Sequence, residues 1–382
     1  MKLYLIAGEP SGDRLGAALM AGMNQIAPGC EFRGIAGPAM QAQGMDSLFP
    51  MQELSVMGLA EILPKYFHLK RRIRETAEDV IAAAPDALVT IDSPDFCLRV
   101  AKLVRARRPD LRTIHYVAPS VWAWRPGRAA KMAKVIDHVL ALLPFEPPYM
   151  TAAGMTCDFV GHPVVTEPLA SAEEVEAFRE EIGAVGQPLL LALPGSRRSE
   201  IDRLCPLISE VLGRIAPGLP GLKVVLPTLP AISETVRELT AAWPVPPLIV
   251  EEPAARRAAF AAADVALAAS GTVSLELAAN RVPMVIAYTM NRLTNAIAMR
   301  LSLVDTYTLV NLVSETRAIP EFITDRFRAE LVAPAVEGLF RDDAARAEQI
   351  AAMDLTMDRL GRGGEPPGVR AARSVLAHLP RA

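Results

Sequence analysis

Short apolar runs alternate along the chain with longer amphipathic stretches. KLYLIA (2–7), DALVTI (86–91), RTIHYV (112–117) and HVLALL (138–143) read as strands, with helical patterns such as 97–107 between them. After GHPVVTEPLA (161–170) the alternation begins again with PLLLAL (188–193), LKVVLP (222–227), PPLIVE (246–251), DVALAA (264–269) and PMVIAY (283–288). From about residue 328 only helical patterns remain. Apolar runs separated by helix-length segments are the form of a parallel sheet with crossover helices, whose two faces are both covered. The pattern predicts an α/β protein of two Rossmann-like domains facing each other across a cleft. They span 1–165 and 166–382, the second carrying the C-terminal helices.

Composition agrees with two cores: 382 residues, 51% of them hydrophobic, exceed one ordinary core. Residues 1–160 carry 18 Lys+Arg against 16 Asp+Glu and the remainder 22 against 27, too even a balance for a nucleic-acid surface. No RNP, zinc-finger or basic-region pattern appears either, so nucleic acid is not an expected partner. Cys30, Cys97, Cys157 and Cys205 lie far apart without a CxxC pair, and predict a reduced, metal-free cytosolic protein. Residues 1–7 lack the basic flank and longer apolar core of a signal peptide, and no run approaches the roughly 20 apolar residues of a membrane span. The expectation is a protein that is soluble or lies on a membrane surface.

In open parallel sheets ligands bind beyond the carboxyl ends of the strands, which selects five loops for chemistry. In PGSRRSE (194–200), Gly195, Ser196 and Arg197 offer backbone N–H groups, a hydroxyl and a planar guanidinium, a set that suits a diphosphate. The same turn also reads as a plain serine-capped helix start. SGTVSLE (270–276) repeats the arrangement with Ser270, Gly271 and Thr272, and places Glu276 one turn into the helix. Two such turns in one half favour a nucleotide diphosphate lying across them, with Glu276 accepting from ribose hydroxyls. Neither turn is a Walker motif or a dinucleotide fingerprint, which weighs against ATPase and NAD chemistry.

In the N-terminal half, DSPDF (92–96) ends a strand on Asp92, a candidate general base or a loop-fixing carboxylate. Asp95 falls in the first helical turn, where the helix dipole alone favours it. HYVAPSVWAWRPGRAAKM (115–132) sets Trp122 and a second tryptophan beside Arg125 and Arg128, for stacking on a sugar or acyl surface or for core packing. MGLAEILPKYFHLKRRIRE (57–75) joins apolar positions to Lys65, Lys70, Arg71, Arg72 and Arg74. It is either a solvated helix over a core or a face for anionic lipid, for which Met57, Leu63, Tyr66 and Phe67 are the apolar candidates. GEPSGD (8–13) resembles a phosphate cradle, yet Glu9 and Asp13 would repel a phosphate.

Taken in order, AGEPSGD, AGPAMQAQG, LSVMGLAEIL, IDSPDF, HYVAPSVWAWRPGR, LPFE, GHP, LPGSRRSEI, ASGTVSLE and LVNL resemble the lipid-A-disaccharide synthase family, inverting glycosyltransferases of GT-B architecture. The resemblance spans almost the whole chain. It implies transfer of 2,3-diacylglucosamine from its UDP derivative to 2,3-diacylglucosamine 1-phosphate, giving the β-1,6 disaccharide and UDP. It assigns UDP to the C-terminal half and the acceptor to the N-terminal half, so the acidic GEPSGD turn need hold no diphosphate. Asp92 then matches the base, with Glu9, Ser11, Asp13, Asp95, Trp122 and Arg125 on the acceptor side. Gly195, Ser196, Arg197, Ser270, Gly271, Thr272, Glu276 and Asn311 of LVNL fall on the donor side. The donor half has no DxD motif, in keeping with a reaction without metal or other cofactor. The resemblance also implies peripheral attachment to anionic lipids at the cytoplasmic face of the inner membrane. Cys97 stands where the family pattern usually has Asn, and Thr324 where Gln is common. A same-fold UDP-sugar epimerase and a non-catalytic UDP-sugar sensor are the rival readings.

Overall fold

The computed structural model describes residues 1–54, 59–289 and 302–379, with the backbone alone over 59–66. Its strands are β1 (Lys2–Ala7), β2 (Glu31–Ile35), β3 (Ala87–Ile91), β4 (Arg112–Tyr116), β5 (His138–Ala141), β6 (Thr156–Phe159), β7 (Leu189–Leu193), β8 (Lys223–Pro227), β9 (Leu248–Val250), β10 (Val265–Ala268), β11 (Met284–Tyr288) and β12 (Glu321–Ile323). They form two six-stranded parallel sheets, ordered β2-β1-β3-β4-β5-β6 and β12-β11-β10-β7-β8-β9. Leu189–Leu193 and Ala87–Ile91 are buried at every position, as strands covered by helices on both faces must be.

The strand order decides where ligands can bind. In the first sheet the chain steps outward from β1 to β2 and then returns to place β3 on the other side of β1, so the loops after β1 and β3 lie side by side at the switch point. In the second sheet β10 returns beside β7, which makes the loops after β7 and β10 neighbours in the same way. Such a reversal opens a crevice at the carboxyl ends of the two strands.

The chain divides into two compact units, Met1–Thr166 with Gly363–Ala382, and Glu167–Arg362. The sequence pattern assigns all C-terminal helices to the second domain, but the last helix, Pro367–Ala377, packs on the first unit. Close approach explains it: a Cβ at Gly22 would strike the Gly368 carbonyl, and one at Gly368 the Ala18 carbonyl. Two glycines thus let this helix lie directly on the helix Pro10–Ile26, burying Ala371, Ala372 and Val375 in the core of unit 1.

Hydrogen bonds from β5 and β6 anchor the same helix. His138 is fully buried, with Nδ1 2.8 Å from Thr156 Oγ1 and Nε2 2.8 Å from Ser374 Oγ, and Ser374 donates to Asp158 at 2.7 Å. The His378 ring stacks on His138 at 3.6 Å. Donor atoms of His138, Asp158 and His378 are close enough to share an ion. The stacked rings nevertheless hold their nitrogen lone pairs in nearly parallel planes that do not converge on one centre, so we read the cluster as a clamp.

Candidate active site

In unit 1 the loops after β1 and β3 meet closely. A Cβ at Gly8 would collide with the Ser93 hydroxyl, and one at Gly12 would lie 3.2 Å from the Ile91 carbonyl. The glycines of GEPSGD therefore serve the packing of the first helix against the end of β3. Asp13 is buried, its Oδ1 accepting from the backbone N–H of Gly37 (2.9 Å) and Met40 (3.0 Å) and its Oδ2 from Ala39 (2.8 Å). These donors belong to the start of the short helix Pro38–Ala42, so Asp13 is a cap, and the expectation that it serves the acceptor gives way. Glu9 is half-buried at the cap position of the helix Pro10–Ile26 but makes no capping bond with its side chain.

Asp92 and Ser93 both adopt left-handed backbone, φ +52° and +44°, at a cost on the order of 1–2 kcal/mol per residue. The Asp92 N–H donates to the Tyr116 carbonyl at 2.9 Å, which ties the turn to the end of β4. Its carboxylate is half-buried, and the exposed Ser11 hydroxyl stands 3.5 Å away. Strain of this kind concentrates at functional sites, and here it falls on a half-buried carboxylate at the end of β3, beside the switch point of the first sheet. Asp95 is exposed in the first turn of the helix Pro94–Arg107. Cys97 lies buried behind the turn, its thiol pushed up by burial and further by the Asp92 charge.

The loop after β4 carries both tryptophans. Trp122 is half-buried: its ring meets Phe145 edge-on at 5.2 Å and its N–H donates to Glu146 Oε1 at 3.3 Å. The exposed ring is Trp124, at 38%, with the Arg125 guanidinium 4.2 Å above it. A stacking surface in this loop is therefore Trp124 with Arg125, a distinction that spacing alone could not make.

The basic helix Leu59–Ala83 is less uniform than its sequence. Phe67 is 80% exposed, and Lys70, Arg71 and Arg74 face solvent. Arg72 does not: it holds Glu53 through Nε and Nη2, both at 2.8 Å, and Glu75 through Nη1, and lies 4.3 Å over the Phe49 ring. The expectation that Arg72 meets lipid gives way to an internal ion pair. Met57 lies outside the described residues, as do the side chains of Leu63 and Tyr66.

In unit 2 the loop after β7 forms a nest for an anion. Gly195 has φ +107°, and a Cβ there would stand 2.5 Å from Glu200 Oε2. The N–H groups of Ser196 and Arg197 point at that same oxygen, at 3.2 and 3.3 Å. Glu200, which sequence reasoning passed over, thus fills the nest with the chain's own carboxylate, and a glutamate three residues into a helix is the signal for such a box. Arg197 is 63% exposed and 3.3 Å from Glu200 Oε1. The neighbouring loop after β10 presents half-buried Ser270 and exposed Gly271 and Thr272 before the helix Val273–Ala279, on which Glu276 is half-buried. At the end of β11, burial and then the Glu200 charge push the Tyr288 hydroxyl up.

Asn311 is buried, not displayed. Its amide donates to Thr306 Oγ1 (3.2 Å) and to the Ile319 carbonyl (2.9 Å) and accepts from the Ile319 N–H (3.0 Å). Glu321 grips the same loop through Thr306 Oγ1 and the N–H groups of Tyr307 and Thr308. The expectation of a direct donor ligand gives way to a residue that fixes loop 305–308. Beside it opens a cavity of about 340 Å³, lined among others by Tyr307, Arg317, Thr324 and Arg326.

Comparison with known proteins accords with this architecture. A family profile described as lipid-A-disaccharide synthetase matches residues 3–363. The lipid-A-disaccharide synthase of Ruegeria pomeroyi is 60% identical, covering 100% of this chain and 96% of its own length. That of Rhodospirillum centenum is 48% identical, covering 98% and 94%. Among solved structures, UDP-GlcNAc 2-epimerase from Neisseria meningitidis bound to UDP-GlcNAc aligns with TM-score 0.67 at 11% identity over 99% of both chains. Anabaena HepE with UDP and glucose aligns with TM-score 0.59 at 14% identity, covering 99% of this chain and 98% of that one. At such identities these structures speak for the fold alone, the GT-B arrangement of two parallel sheets. The relatives at 60% and 48% identity go further: the chain belongs to the lipid-A-disaccharide synthetase family.

Proposed function

We propose that the protein transfers 2,3-diacylglucosamine from UDP to 2,3-diacylglucosamine 1-phosphate, forming the β-1,6-linked tetraacyl disaccharide 1-phosphate and UDP. Family membership along the whole chain carries this reading, and the half-buried carboxylate of Asp92 on strained backbone at the switch point supports its chemistry. Unit 1 takes the acceptor. Asp92 removes the proton of the acceptor hydroxyl as that oxygen attacks the anomeric carbon opposite the departing UDP, which inverts the centre. Ser11, in the first turn of the helix Pro10–Ile26, lies 3.5 Å from it, Glu9 takes the cap position of the same helix on the acceptor side, and Trp124 and Arg125 on the β4 loop make the sugar or acyl contact.

Unit 2 takes the donor. The diphosphate displaces the Glu200 carboxylate from the Ser196 and Arg197 N–H groups, and Arg197 meets the charge that grows on UDP. Ser270, Gly271 and Thr272 form the second turn under the nucleotide, and Glu276 accepts from the ribose. Release of UDP tests the reading: it should appear only when the acylated acceptor is present. A UDP-sugar epimerase needs no acceptor, and a non-catalytic sensor releases no UDP by turnover.

The acylated substrates place the enzyme at a membrane, and among the described residues no helix is long and apolar enough to cross one. We infer a peripheral contact with anionic lipid at the cytoplasmic face, made by the exposed side of the helix Leu59–Ala83. Changing Lys70, Arg71 and Arg74 to Ser, with Arg72 left in its ion pair, should reduce co-sedimentation with anionic vesicles. Salt should weaken binding only in part, since screening acts over about 8 Å at physiological ionic strength and does not touch apolar insertion. Unchanged co-sedimentation would make this an ordinary surface helix.

A further inference from the structure

Glu146, five residues past the end of β5, is 4% exposed and takes no part in the chemistry above. Its Oε2 accepts from the backbone N–H of Leu142 (3.2 Å) and Leu143 (3.0 Å), and its Oε1 from the Trp122 indole (3.3 Å). Among the described residues no other side-chain hydrogen bond holds loop 117–126. That loop is strained at both ends, with Val117 at φ +87° and Arg125 at φ +50°, and left-handed backbone is a marked outlier for a β-branched residue. It begins one residue after Tyr116, whose carbonyl holds the Asp92 N–H, and it carries Trp124 and Arg125 to the surface.

We propose that Glu146 is a positioning residue, a proton-sensitive tether that fixes the Trp122 loop beside Asp92 for the acceptor sugar; this rests on the reading of unit 1 as the acceptor side. The chemistry requires a carboxylate. Three N–H donors converge on two oxygens, and only the ionised form presents acceptors at both. Protonation turns one oxygen into a donor and leaves an N–H without a partner. Gln has a single acceptor end and cannot satisfy both sides either. Burial pushes the Glu146 carboxyl up to about 7, so the tether is complete above that pH and loosens below it. The titratable neighbour on the adjoining strand is Cys157, itself pushed up to about 12 by burial and then by the charges of Glu146 and Asp158, and so uncharged over this range.

The test combines a spectroscopic and a kinetic reading on the full-length protein. The part of the near-UV circular dichroism that Trp122→Phe abolishes should titrate with a midpoint near pH 7 and be flat in Glu146→Gln. At pH 8, Glu146→Gln should raise the acceptor KM about tenfold, a size typical of one buried donor left unpaired, and Trp122→Phe, which removes the tethered donor itself, should raise it in the same direction, with the donor KM unchanged in both. The acceptor KM of the unaltered enzyme should climb toward the variant value as pH falls below 7. A Trp122 signal indifferent to pH, or an unchanged acceptor KM in both variants, would overturn the tether. A titrating signal with a shift in donor KM alone would keep the tether but refute unit 1 as the acceptor side.

Discussion

Asp92→Asn should lower turnover by roughly 10²- to 10⁴-fold, the usual contribution of a general base, with UDP-sugar affinity unchanged. Asn is the informative replacement because it tolerates the left-handed backbone of this position, φ +52°, as Asp does. Alanine would add backbone strain and confuse a folding defect with a chemical one. Asp95→Asn supplies the contrast: Asp95 is exposed at a helix start, where its charge is worth about 0.3–1 kcal/mol of stability, and turnover should be little altered. Turnover at saturating substrates with a thermal melt of each variant separates the two. Loss of activity in Asp95→Asn with retention in Asp92→Asn would reverse the assignment.

Arg197→Ala should weaken UDP binding by ten- to a hundredfold, since a hydrogen bond to a charged partner is worth about 1.5–3 kcal/mol. The fold should survive, because the side chain is 63% exposed and, among the described residues, its ion pair is to Glu200 at 3.3 Å within the same turn. An exposed pair of that kind contributes little to stability. Turnover should fall as well, because charge on the leaving UDP grows as the bond breaks. Calorimetric titration with UDP reads the first effect directly, and an affinity equal to that of the unaltered protein would remove Arg197 from the donor site.

The sequence patterns mark the interior of both sheets and one edge strand, β9, and miss the other three margins. β2, β6 and β12 are each the edge strand of a sheet, with only short or partial burial: Glu31 and Arg33 face solvent in β2, and no residue of β6 is fully buried. An edge strand is covered less completely, so the continuous apolar run that marks its neighbours is not required there, although β9 keeps one. The loops that carry chemistry were legible because strand order turns them toward the switch points, and the motifs mark where strands end. Partners in space were not legible. Asp13 reads like a ligand until the amides of residues 37–40 are seen around it, and Arg72 like a lipid contact until Glu53 is found 19 residues upstream. Asn311 gave no hint of Ile319, nor the last helix of Gly22. Each of these contacts joins segments whose proximity is a property of the fold and leaves no periodic trace in the chain.

Inverting transfer between two acylated glucosamine substrates is read most plainly from the product itself. Purified protein should be incubated with UDP-2,3-diacylglucosamine and 2,3-diacylglucosamine 1-phosphate, and the lipid product examined by mass spectrometry and by NMR at the new anomeric centre. Inverting transfer should give one disaccharide 1-phosphate whose mass equals the two substrates less UDP, with a β-1,6 linkage and UDP in equal amount. An α linkage, a rearranged UDP-sugar formed without acceptor, or intact substrates after incubation with well-folded protein would contradict it.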